Sequence, residues 1–129
     1  MPDEPLPPAS VIDEKLRLLV EAINEIDAAI EARDLLTHRF LGQIDREAAE
    51  VRFYLSFLGD PWKHGFVPPM ESLRVTLHKN LTSRRVDRRS EEHRAWSDRL
   101  ALVEKRRQLV IEHQTLLAAR RQGRRDGPG

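Results

Sequence analysis

The chain has 129 residues, 40% of them hydrophobic, 33% charged and 5% aromatic, and a formal net charge of +1 at pH 7. That is the length of one domain, with more charge than the ~25% of an average globular domain, as long solvent-exposed helices require. The absence of cysteine excludes disulfides and thiolate metal sites, and no apolar run approaches the ~20 residues that span a bilayer.

The acidic, proline-rich start from Met1 to Pro8 has the features of neither a signal peptide nor a transit peptide. The expectation is a cytoplasmic protein with no membrane span. All eight prolines fall outside two stretches, Ala9 to Asp60 and Met70 to Gly127. Proline in a helix interior costs roughly 3 kcal/mol. The spacing therefore predicts an all-α fold, a long antiparallel helical hairpin of coiled-coil type. Residues 1–9 are expected to be disordered, 10–59 to form the first arm, 60–69 the connector, 70–122 the second arm, and 123–129 a disordered tail.

In the first arm, Ser10 can cap the helix, with Asp13 three residues on. Ile12, Leu16, Leu19, Ile23, Ile26 and Ile30 then alternate in steps of four and three, the spacing of a coiled-coil seam. A second block follows in Leu41, Ile44, Ala48, Val51, Leu55 and Leu58. The gap from Ile30 to Leu41 breaks the register and places Asp34 and Thr37 at the seam, a polar waist between two apolar slabs. Gly42 weakens the helix at the waist's edge. Gly59-Asp60-Pro61 should stop the arm.

The connector crowds Trp62, His64 and Phe66 between prolines. These rings read as a cap on the open end of the hairpin, or as a docking knob. The second arm opens with Met70, Leu73, Leu77 and Leu81, turns polar and basic from Thr82 to Arg94, and regains periodicity with Trp96, Leu100, Val103, Val110 and Leu117, beside Leu102, Leu109 and Leu116. A competing reading breaks this arm between Asn80 and Arg89, with Ser90 capping a third helix. With the turn centred on residue 64, Leu58 faces Met70, Leu55 faces Leu73, Val51 faces Leu77, and Asp34 approaches Arg94.

Charge supports the hairpin. Residues 1–60 carry 13 acidic and 6 basic side chains, whereas residues 61–129 carry 8 acidic and 16 basic. Arms of opposite sign attract, within a chain or between chains.

No constellation points to catalysis. The five histidines form no His-x-x-x-His and no Glu-x-x-His pair, so the ligand sets of zinc and di-iron helical proteins are missing. Asp34, His38 and His93 could meet at the waist as a weak metal site, but a register-setting polar layer suits them better. There is no glycine-rich phosphate loop and no nucleophile elbow. The expectation is a non-enzyme without cofactor or bound metal.

What remains is interaction. The seam residues Ile12, Leu16, Leu19, Ile23, Ile26 and Ile30, with the off-seam Leu36, Phe40, Phe53 and Phe57, are candidate protein contacts. A lone hairpin has a thin core, so a homo-oligomer, pairing into a four-helix bundle, or a complex with another helical protein is expected. The function that follows is a coiled-coil assembly, adaptor or chaperone-like scaffold. An alternative is a helical nucleic-acid-binding protein using Arg84, Arg85, Arg88 and Arg89 and the tail cluster Arg120, Arg121, Arg124 and Arg125. The sequence pI of about 8.2 falls short of the >9 of dedicated nucleic-acid domains.

Overall fold

The computed structural model describes residues 8–59, 65 and 67–126, the side chains of 125 and 126 excepted. Residues 1–7 and 127–129, and the connector aromatics Trp62, His64 and Phe66, lie outside the described residues. Those described form two α-helices packed as a helical hairpin, with no strand among them: α1 (Ala9–Phe57) and α2 (Pro68–Asp126).

Helix α1 starts one residue ahead of the expected cap. The Pro8 carbonyl accepts from the N–H groups of Val11 at 2.9 Å and Ile12 at 3.1 Å, which leaves Ser10 inside the first turn rather than at its edge. At the other end Gly59 adopts a φ of 69°, a left-handed conformation that only glycine takes without strain. Arg74 of α2 then donates to the carbonyls of Gly59 at 2.9 Å and Leu58 at 3.0 Å. The Leu58 acceptor that the helix C-terminus leaves orphaned, and the Gly59 carbonyl just beyond it, are thereby satisfied.

Helix α2 begins at Pro68, two residues before the expected start. Proline is suited to a first turn, where its missing N–H would have had no intrahelical partner, and Glu71 there complements the helix dipole. The helix runs unbroken through 80–94, so Ser90 does not cap a third helix. No glycine or proline interrupts that stretch, and an i,i+4 pair between Arg88 and Glu92 at 3.1 Å supports it. It continues past residue 122 to Asp126, with Arg124 in the last turn, where a cation favours a helix end.

Two packing units divide the chain, Met1–Ala32 with Asp98–Gly129, and Arg33–Ser97. In the first, Ile12, Leu16, Leu19 and Ile26 are buried, with Ile23 and Ile30 half-buried. Facing them α2 offers the half-buried Leu102, Arg106, Leu109, His113, Leu116 and Arg120. In the second unit Ala48, Val51 and Leu81 form the core, with Leu55 and Leu77 packed on it.

The inner face of α2 differs from the expected one. Leu73, Trp96, Leu100 and Val103 are exposed, and Val110 and Leu117 are only half-buried. In the second unit the inward stripe runs through Met70, Arg74, Leu77, Leu81, Arg84, Arg88, Glu91 and Ala95, alternating four and three. Charged residues occupy half of it, so apolar periodicity alone could not find it. Val51 shares its core with Leu81, and Leu77, expected opposite it, packs on the same cluster.

Candidate functional site

The waist is a buried ion pair. Arg33 Nη1 lies 2.9 Å from Glu91 Oε1, with side chains 18% and 9% exposed. Glu91 is the one buried polar residue among those described, and Arg94 Nη2 stands 3.9 Å from its second oxygen. The seam crosses the waist through Arg33 and Thr37, whose hydroxyl donates to the Arg33 carbonyl at 3.0 Å. Asp34, expected on the seam, is exposed. The helical turn explains the shift: continuing the four-three alternation from Ile30 reaches 33, not 34.

The arginines separate into two populations. Arg88 Nη1 reaches Asp45 at 2.6 Å, and Arg84 Nε stands 3.3 Å from Glu47, an ion pair whose geometry falls short of a hydrogen bond. In the other unit Arg106 meets Asp27 at 2.6 Å and Arg120 meets Asp13 at 3.1 Å. Each is a basic residue at an inward α2 position reaching an acidic residue on α1, which accounts for part of the opposite charge of the arms. Arg85, Arg89, Arg121 and Arg124 are exposed and make no ion pair among the described residues. Of the two predicted i,i+4 pairs, Arg84/Arg88 therefore serves the hairpin and Arg85/Arg89 faces outward. The side chain of Arg125 is outside the described set.

Sequence reasoning missed an aromatic companion to that outward pair. Trp96 is 63% exposed, and its ring stacks on His93 with centroids 6.5 Å apart. Trp96 lies eleven residues after Arg85 and seven after Arg89, hence on their side of the helix. Counting helical turns from Arg85, rather than seeking an apolar stripe, would have revealed it.

The predicted protein contacts also divide. Ile12, Leu16, Leu19 and Ile26 are buried, and Ile23 and Ile30 half-buried, within the chain's own first unit. Leu36, Phe40, Phe53 and Phe57 are exposed, Phe57 at 74%. Phe53 packs edge-on against Phe57 at 5.0 Å and against Tyr54 at 6.1 Å. At 100° per residue the Leu36/Phe40 and Phe53/Phe57 pairs are about a quarter turn apart, two patches rather than one face.

On the exposed surface of α1, Arg17 bridges Glu14 and Glu21, and its hydrogen bond holds the Glu14 carboxyl below the ordinary carboxylate range. Among the described residues no three histidine, aspartate or glutamate side chains converge as metal ligands, so Asp34, His38 and His93 do not form such a group. Nor is any described helix long and apolar enough to cross a membrane. No protein-family model, curated protein or solved structure shows significant similarity to the chain.

Proposed function

We propose that the chain is a non-enzymatic coiled-coil assembly or adaptor protein that works through protein–protein contacts on its helical faces, as a homodimeric four-helix bundle or beside another helical protein. One observation carries this reading: no side chain among the described residues is fully enclosed, while the large apolar residues Leu36, Phe53 and Phe57 are more than half exposed. Exposed apolar patches of that kind, the Phe53, Tyr54 and Phe57 cluster foremost, mark interaction sites. The test is size-exclusion chromatography with light scattering on untagged protein, recording absorbance at 260 and 280 nm. A discrete oligomer free of nucleic acid supports the reading. A monomer that binds nothing apolar, judged by an unchanged environment-sensitive dye signal, rejects it.

The outward Arg85/Arg89 pair beside Trp96 favours a second reading, binding of single-stranded nucleic acid through phosphate contacts and base stacking. It predicts salt-sensitive binding that R85E/R89E weakens at least tenfold. Equal binding by that variant would reject it.

A further inference from the structure

In the unit formed by 8–32 and 98–126, an open groove of about 520 Å³ runs between the helices, lined by Leu16, Val20 and Glu21 of α1 and His113, Leu117 and Arg120 of α2. Leu117 of that lining is preceded at seven-residue intervals by Val110 and Val103, which lie beyond the groove on the same flank of α2. Val103 is 40% exposed and Val20 44%. The opposite flank differs: its smaller groove is lined by Lys15, Leu18, Leu19, Ala22 and Glu112, and the seven-residue series through it on α2 reads Lys105, Glu112, Ala119. On α2 the first flank alone is apolar at a third helix's spacing; α1 contributes Val20 to it, between Asp13 and Asp27.

Charge identifies the occupant. Residues 9–32 carry six acidic and two basic side chains; residues 98–126 carry four acidic and eight basic. The two helices that wall the groove are therefore of equal and opposite net charge over all their faces, and they remain so, at −2 and +2, once the internal pairs Asp13–Arg120 and Asp27–Arg106 are set aside. The surface that complements such a pair is the same pair turned about, acidic helix on basic helix, and an isologous two-fold contact supplies it. We propose that this groove is closed by the same groove of a second copy of the chain. The two-fold axis runs along the helices, so that each α1 segment lies antiparallel on the partner's α2 segment. A two-fold axis across the helices would bring acidic α1 against acidic α1, which like-charge repulsion disfavours. The inference rests on the self-assembly reading above and adds to it the surface and the direction of docking.

The test is sedimentation equilibrium on the full chain. V20E/V103E changes exposed positions and is expected to keep the helical circular dichroism while raising the dimer Kd on the order of a hundredfold, because four carboxylates would be taken out of water. L18E, on the opposite flank, is expected to leave the dimer unchanged. A charge exchange then tests the direction of docking. R107E/R121E and E21R/E31R should each dimerise at least tenfold more weakly than wild type, and an equimolar mixture should restore the dimer, since each altered helix then meets its complement. A wild-type dimer that survives V20E/V103E overturns this surface while self-assembly stands. Homodimers unaffected by the charge changes overturn the direction of docking. A monomeric wild type overturns both the surface and the self-assembly beneath it.

Discussion

Replacing Arg33 with methionine should be among the most damaging single changes in the hairpin. The Glu91 carboxylate it faces is 9% exposed and 2.9 Å away, and removing one partner of a buried pair leaves an uncompensated charge at a cost of about 3–5 kcal/mol. The lower end applies here. Arg94 stays 3.9 Å from the other Glu91 oxygen, and Arg33 itself is 18% exposed, so water and a second cation blunt the loss. A cost of about 3 kcal/mol corresponds to a drop of roughly 10 °C in Tm for a chain of this size. Urea unfolding followed by circular dichroism at one fixed protein concentration measures it, since self-association would otherwise move the midpoint. The double variant R33M/E91L replaces the pair with apolar side chains of similar reach and should return to within about 1 kcal/mol of wild type. If R33M alone costs less than about 1 kcal/mol, the pair behaves as an exposed one and the waist is not a buried charge layer.

Gly42 sits in the helix interior with nothing within 4 Å of an added Cβ, so G42A should stabilise the protein by about 1 kcal/mol in the same denaturation assay. R74M keeps the aliphatic stem but removes both hydrogen bonds to the Leu58 and Gly59 carbonyls; it should cost about 2 kcal/mol and speed amide hydrogen exchange in the last turn of α1. R17A should raise the Glu14 pKa towards its ordinary value in an NMR titration, because the hydrogen bond that lowers it is gone. The Glu14 pKa is lower folded than unfolded, so the contact's contribution is present above the ordinary carboxylate pKa and fades as pH falls through the lowered one. R17A should flatten that part of the stability profile.

The first arm was legible because its inward positions are apolar. Ile12, Leu16, Leu19 and Ile26, then Ala48 and Val51, follow the four-three alternation, and all are buried. The second arm was legible only in part: Leu77, Leu81, Leu102, Leu109 and Leu116 turn inward as expected, but the stripe also carries Arg74, Arg84, Arg88, Glu91, Arg106 and Arg120 among them. A search for hydrophobic periodicity passes over such positions and settles on the nearest apolar residues, which is how Leu73, Trp96, Leu100 and Val103 were drawn onto a face they do not occupy. Long side chains permit the substitution: an arginine can lay its stem along the seam while its guanidinium reaches an acid on the flank of α1, as Arg88 does to Asp45 and Arg106 to Asp27. The same habit bears on the exposed surface. Cations already committed to the hairpin are unavailable to an outside anion, so charge in the sequence overstates what a partner can see. What a partner meets instead is the residue those seams leave uncovered: Arg85, Arg89 and Trp96 on one unit, and Val20 and Val103 on the other. The Val20/Val103 surface and the Arg85/Arg89 pair therefore lie in different units, and a variant in one can be scored without disturbing the other.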